Sequence, residues 1–220
     1  MNIRIEWTFQ PLKSKQTYFM KSEFMRFDDA LVLLSDLEKT GRLKEAIFID
    51  EHDSTWTKKE LQRYLKQFET EPHEVTAYID GGYDTRSKKA GIGVAIYYKQ
   101  HHKRWRIRFN DSLELLEDNN EAEYAALYKL IQQLELIGVH HQKVTIYLDS
   151  LVVCNQAAGE WPCFEEHYLR WLDRIDELAN KIGLKLQYDQ IDRALNKEAD
   201  QLATQALKGI MIESKLEQMN

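Results

Sequence analysis

Ala77-Tyr78-Ile79-Asp80-Gly81-Gly82 is an apolar run that ends in a carboxylate and two glycines. An acid at the end of a strand of buried type is costly unless something positive meets it. Further along, Ile146-Tyr147-Leu148-Asp149-Ser150 repeats the arrangement almost letter for letter. Side chains of a strand alternate between its faces. Val75, Ala77 and Ile79 therefore share one face, and Thr76, Tyr78 and Asp80 the other. In the second stretch Val144, Ile146 and Leu148 share a face, opposite Thr145, Tyr147 and Asp149. If the two strands are neighbours in one sheet, the two acids lie side by side.

Two helices supply further acids. Over 120–137, Ala126, Leu127, Leu130, Ile131 and Leu134 recur at the three- and four-residue spacing of a core-facing stripe, stopped by Gly138. Glu123 stands at the head of that stripe, whereas Glu121 falls nearly opposite and is expected to face water. A glutamate on the apolar face of a helix is unusual, so Glu123 is the candidate. The last helix, over 195–208, carries a stripe of Leu195, Ala199, Leu202, Ala203 and Ala206, with Asn196 and Asp200 four residues apart on its flank. Taken singly, each acid reads best as a cap, a turn residue or an ion-pair partner. As a set they raise one another's pKa and cannot sit together unneutralised. The sequence places no Arg or Lys to neutralise several of them at once. Hard divalent cations such as Mg²⁺ or Mn²⁺ take oxygen ligands and would do so.

The rest of the chain gives these acids a frame. Residues 1–72 read as a small α/β domain: Ile3-Arg4-Ile5-Glu6-Trp7-Thr8-Phe9 alternates apolar and polar residues, and an extended stretch follows over 17–25. Asp28 and Asp29 stand where caps open a helix through Leu31 and Leu34, and Ala46-Ile47-Phe48-Ile49 is a short buried-type strand. Thr57 and Glu60 form a capping box. The polar, proline-containing stretch at 69–73 marks a boundary. From there, residues 73–208 give strands over 75–82, 91–99 and 103–109, the helix over 120–137 and a strand over 143–149. A short helix over 151–158, a longer one over 164–182, a strand over 184–191 and the last helix complete the order. Three strands followed by alternating helices and strands predict a five-stranded mixed sheet with helices on its faces. The polar tail, 209–220, is expected to be loosely attached.

Composition narrows the class. With 43% hydrophobic and 30% charged residues, the 220-residue chain is expected to be globular rather than disordered. Neither a membrane span nor a leader is expected, and Cys154 and Cys163 read as two unpaired thiols of a reducing cytoplasm. The net charge of −6 counts against a broad phosphate-binding surface, though not against a site carrying its own metal ions. Arg104, Arg106 and Arg108 share one strand face and read as a solvated row.

Tyr78-Ile79-Asp80-Gly81-Gly82, Asn119-Asn120-Glu121-Ala122-Glu123-Tyr124, Leu148-Asp149-Ser150 and Asn196-Lys197-Glu198-Ala199-Asp200-Gln201-Leu202-Ala203 resemble, in order and spacing, the four signature segments of type 1 ribonuclease H. Within that family the chain looks most like the bacterial "reverse-transcriptase-like" subgroup. The resemblance covers about residues 74–208 and implies a ribonuclease H-like sheet with helices on both faces. It also implies cleavage of the RNA strand of an RNA/DNA hybrid, leaving 5′-phosphate ends. The implied cofactors are two Mg²⁺ ions, with Mn²⁺ as a substitute, held by Asp80, Glu123, Asp149 and Asp200. Gly81, Asn119, Asn120, Ser150, Arg193 and Asn196 are the positions it implies for nucleic-acid contact. Neither a membrane partner nor a small-molecule cofactor is implied. Three features depart from the family pattern: Asp118 stands where many members have a phosphate-binding Thr, Arg193 stands where many have His, and 160–166 is acidic where some carry a basic protrusion. They raise the alternative of a ribonuclease H-like protein that binds nucleic acid with little or no turnover.

Overall fold

A computed structural model describes residues 2–218, and of residues 65, 67 and 68 the backbone alone. The chain divides into two compact units, Met1–Gln67 and Phe68–Asn220.

In the first unit, β1 (Asn2–Phe9) pairs antiparallel with β2 (Tyr18–Lys21) and with the two-residue β3 (Met25–Arg26). The helix α1 (Phe27–Lys39) leads to β4 (Leu43–Asp50), which also pairs with β1, and then to β5 (Thr55–Trp56) and α2 (Lys58–Thr70). The alternation read in β1 buries Ile3 and Ile5 against Phe27, Ala30, Leu34, Phe48 and Leu61. Asp28 and Asp29 do not cap α1. They lie in its first turn, where a negative charge meets the positive end of the helix dipole, and the cap position is Arg26. The capping box at α2 does form: the Thr57 amide donates to Glu60 Oε2 at 2.9 Å, and the Glu60 amide to Thr57 Oγ1 at 3.2 Å. At the end of β4, Asp50 accepts from the His52 and Ser54 amides, both at 2.9 Å, and from Trp56 Nε1 at 3.0 Å.

The second unit opens with three long antiparallel strands, β6 (His73–Asp84), β7 (Lys89–Gln100) and β8 (Lys103–Glu114). Then come α3 (Asn119–Leu136), β9 (Lys143–Leu148), α4 (Leu151–Ala157), α5 (Glu166–Lys181) and β10 (Lys185–Gln190). A single 3₁₀ turn, Arg193–Leu195, precedes α6 (Lys197–Leu207). The sheet order is β10-β9-β6-β7-β8-β11, with β9 parallel to both β6 and β10. The five expected strands are all present, so the mixed sheet with helices on both faces stands. Alternate residues of β6 and β7, Val75, Ala77, Ile79, Ile92, Val94 and Ile96, pack with α3, α4 and α5 into one core. α6 covers the other face.

The sixth strand, β11 (Glu213–Gln218), corrects the expectation of a loose tail. Its residues are polar because it is an edge strand, held by backbone pairing to β8 rather than by burial. Asn110 fixes its approach: the buried amide donates to the Leu202 and Ile210 carbonyls, both at 2.9 Å, and accepts from the Ile212 amide at 2.7 Å. Lys215 then lies over Trp105, 5.0 Å from the ring centroid.

Candidate functional site

Strand register brings the first two acids together. Val75 to Tyr78 of β6 run beside Val144 to Tyr147 of β9 in the same direction, so Asp80 and Asp149 emerge at the same edge of the sheet. The carboxyl ends of parallel strands are where an open α/β sheet leaves room for a ligand.

Two glycines bring the helices in. A Cβ on Gly81 would stand 2.4 Å from the Ala122 carbonyl carbon and the Glu123 amide, so α3 rests directly on the backbone of β6. Gly93 lies opposite Asp80 across the β6–β7 ladder, and a Cβ there would stand 2.2 Å from the Ala199 carbonyl oxygen of α6. One glycine thus admits the helix bearing Glu123 and the other the helix bearing Asp200. Asn196 fastens α6 further: the side chain is 1% exposed, and Nδ2 donates to the Ile79 carbonyl at 2.8 Å, one residue before Asp80.

Ligand oxygens of Asp80, Glu123 and Asp149 all lie within 4.8 Å of one another. Asp80 is 7% exposed and Glu123 2% exposed. Burial first, and then the Asp149 and Asp200 carboxylates, push the Asp80 pKa up to about 7. Burial, with Asp80 and Asp149 adding to it, pushes Glu123 up to about 9. Buried Glu123 Oε2 has no hydrogen-bond partner. A native fold rarely orphans a carboxylate oxygen. Three converging carboxylates with an unused buried oxygen fit a hard divalent cation, which takes oxygen donors and removes the charge penalty at once.

Asp200 stands outside this trio. Its Oδ1 is 2.8 Å from Arg193 Nη2, and Arg193 Nε is 4.0 Å from Asp149 Oδ2. The expectation that no cation serves several of the acids is therefore corrected: one guanidinium spans two of them. Only the fold reveals this, because the 3₁₀ turn carries Arg193 back over the end of β9.

Glu121 also departs from its expected place. It is buried, 7% exposed, because α5 packs over that flank of α3. Yet both its oxygens are used, accepting from Trp171 Nε1 at 3.0 Å and from the Glu117 amide at 2.7 Å. Neighbours in sequence, Glu121 and Glu123 differ in satisfaction rather than in burial. Asp118 serves as the N-cap of α3, accepting from the Glu121 amide at 2.9 Å and from the Tyr168 hydroxyl at 2.5 Å. Its charge is engaged by the fold.

Among the other positions marked from the sequence, Asn119 is exposed at the start of α3, and its Oδ1 accepts from the Tyr83 amide at 3.2 Å. Asn120 is half-buried in the first turn of α3. Ser150 follows Asp149 and caps α4 through the Val153 amide at 3.3 Å. Arg106 and Arg108 do not form a merely solvated row, since both reach Glu198 of α6, at 3.2 and 3.7 Å, and the Tyr97 hydroxyl donates to the same carboxylate. Gly93 is not among the positions that the motifs mark. A glycine pair in a strand, here Gly91-Ile92-Gly93, is the signal of close backbone approach that could have found it.

The RNase H family model matches residues 72–208. A Bacillus subtilis (strain 168) protein, described as uncharacterized protein YpeP, is 39% identical over 196 residues, covering 89% of this chain and 86% of that protein. An alignment of that length reaches into the first 71 residues, outside the family match. Among solved structures, RNase H1 of the halophilic archaeon Halobacterium salinarum NRC-1 is 25% identical with a TM-score of 0.52, covering 61% of this chain and 98% of that one. LC11-RNase H1, solved in complex with an RNA/DNA hybrid, shares the fold at 24% identity and a TM-score of 0.55, covering 62% of this chain and 98% of its own.

Proposed function

This chain belongs to the ribonuclease H family, and from that premise we propose that it is a metal-dependent endonuclease that hydrolyses the RNA strand of RNA/DNA hybrids. The observation that carries the reading is the trio of buried Asp80, buried Glu123 and half-buried Asp149, ligand oxygens within 4.8 Å and a Glu123 oxygen orphaned. A paired-carboxylate acid–base site would need one proton-bearing and one free carboxyl open to substrate. Here Glu123 is sealed from solvent, which suits a ligand and not a proton shuttle.

Asp80, Glu123 and Asp149 would hold one Mg²⁺ or Mn²⁺ ion, and Asp200, with Asp80, the oxygens of a second. Such ions supply the charge that favours ionisation of the attacking water and stabilises the leaving 3′ oxygen. The chain's own work is placement. Gly81 and Gly93 let two helices close on Asp80, and Asn196 locks the start of α6 to β6. Because Asp80 and Glu123 hold their protons tightly in the metal-free chain, loading such ions releases protons and strengthens as pH rises. Asn119, Asn120 and the backbone at Gly81 would line the hybrid's minor groove, where a 2′-hydroxyl distinguishes RNA from DNA. Ser150 and Arg193 flank the same edge. Cleavage through the 3′ oxygen leaves a 5′-phosphate.

The test is cleavage of an end-labelled hybrid by the full chain in Mg²⁺ and in Mn²⁺, with Asp80→Asn beside it. The expected result is metal-dependent scission of the RNA strand alone, lost in the variant. No scission in either metal, or equal scission by the variant, overturns the reading. Binding of the hybrid that weakens steeply with salt, without hydrolysis, supports the binding-only alternative instead.

A further inference from the structure

We propose that Arg193 is an internal counter-cation that competes with a divalent ion for Asp200, so that occupancy of the second half of the site is set by displacing a guanidinium. The inference rests on the metal-dependent reading of this site. Its basis is the division among the four acids. Three of them converge with a cation only at their rim, whereas Asp200 is held 2.8 Å from Arg193 Nη2. The same guanidinium lies 4.0 Å from Asp149 through Nε, so it bridges the outer acid to the rim of the inner trio. A divalent ion that takes Asp200 as a ligand occupies the neighbourhood of that guanidinium, and two cations at such separation repel.

Arg193 is built to yield. Its side chain is 78% exposed and it sits on a single 3₁₀ turn, so its grip is confined to the tip. An exposed ion pair of this kind is weak, and an incoming ion of double charge can break it. On neighbouring elements Arg106 and Arg108 pair with Glu198, and Lys129 with Asp111 at 3.2 Å, while Asp200 pairs with Arg193. Among the described residues Arg193 is therefore the cation that holds Asp200 while the second position is empty.

Calorimetric titration of the full chain with Mn²⁺, at pH 8 and without nucleic acid, tests the inference independently of cleavage. The proteins are the wild type, Arg193→Gln, Asp200→Asn and the double variant. In the wild-type background Arg193→Gln is expected to tighten the weaker Mn²⁺ site by about two- to five-fold, the size of an exposed ion pair. In the Asp200→Asn background the same substitution is expected to change nothing at that site, because the competition has lost its object. Unchanged or weakened Mn²⁺ binding in Arg193→Gln overturns the proposal. Equal tightening in both backgrounds also overturns it, since that is a general charge effect. A wild-type chain that binds no Mn²⁺ overturns the metal-site reading itself.

Discussion

Asp50 in the N-terminal unit and Asp80 in the C-terminal unit occupy similar positions, each following an apolar strand run, Ile47-Phe48-Ile49 and Ala77-Tyr78-Ile79. They are equally hidden, at 6% and 7% exposure. The chain treats them in opposite ways. Around Asp50 the backbone turns back and offers two amides and an indole N–H, and these donors, Trp56 foremost, hold its carboxyl below the ordinary range. Around Asp80 the chain brings two more carboxylates, so burial and like charge push it up to about 7. Burial alone does not mark a functional acid. What marks it is demand that the fold creates and leaves unmet. Asp50 is a turn whose charge is complete within the chain, whereas Asp80 converges with other carboxylates and, on the proposed metal-dependent reading, waits for a cation.

The largest contrast is in activity. Asp80→Asn is expected to lower hybrid cleavage by about a thousand-fold, equivalent to about 4 kcal/mol of charge stabilisation. Asp50→Asn should leave the cleavage rate of the folded protein unchanged and lower its unfolding midpoint. Parallel rate assays and thermal melts check both; loss of rate in Asp50→Asn would erase the distinction.

The pH dependence of stability separates the two acids by sign. A carboxyl whose folded pKa is lowered, as in Asp50, stabilises above its unfolded pKa and loses that contribution as pH falls through the folded value. Asp80 and Glu123, raised to about 7 and about 9, contribute below the ordinary carboxylate range and lose it as pH rises through those values. The metal-free chain is therefore expected to lose stability as pH rises from the ordinary carboxylate range to about 7, by up to roughly 4 kcal/mol from Asp80 alone at a shift of about three units, with Glu123 extending the loss to about 9. Denaturant titrations between about pH 2 and 9 should show Asp80→Asn flattening the fall above the ordinary carboxylate range and Asp50→Asn flattening the acid limb below it.

Gly81→Ala probes how the demand is built. Its Cβ would meet backbone of α3 at 2.4 Å, which has no rotamer to yield, so a cost of about 3 kcal/mol or more is expected in chemical denaturation. A near-neutral melt would mean that α3 does not rest on β6 as described.

Much of this site could be read before the fold was known, for reasons that differ by residue. Asp80, Asp149 and Glu123 follow from the periods of strand and helix, which fix the face a side chain takes wherever the element packs. Glu121 could not be placed that way. Its flank of α3 is buried by α5, a tertiary event, and Trp171 lies 50 residues away in sequence. Arg193 was marked through the family resemblance, but its span between Asp149 and Asp200 depends on how the 3₁₀ turn meets the end of β9. β11 escaped because an edge strand made of Glu213-Ser214-Lys215-Leu216-Glu217-Gln218 carries no apolar alternation, and its pairing is written in β8 and Asn110.

The glutamate pair on α3 repeats the comparison on a smaller scale. Glu121→Gln places an amide donor against donors, at an expected cost of about 1–3 kcal/mol. Glu123→Gln gives up no hydrogen bond, so the metal-free protein should be at least as stable as the wild type while cleavage falls. Melts of the two variants with EDTA present check this, and a destabilised Glu123→Gln would mean that its orphan oxygen has a partner.

The most direct measurement is the Mg²⁺-induced rise in unfolding midpoint at pH 6 and pH 8, in the wild type and Asp80→Asn. If Asp80 and Glu123 await a cation, Mg²⁺ must displace their protons. The rise should be larger at pH 8, about 1.4 kcal/mol of stabilisation at ten times the dissociation constant, and absent in the variant. An equal rise at both pH values, or one that survives Asp80→Asn, would contradict the claim that this buried carboxylate is left for a metal to complete.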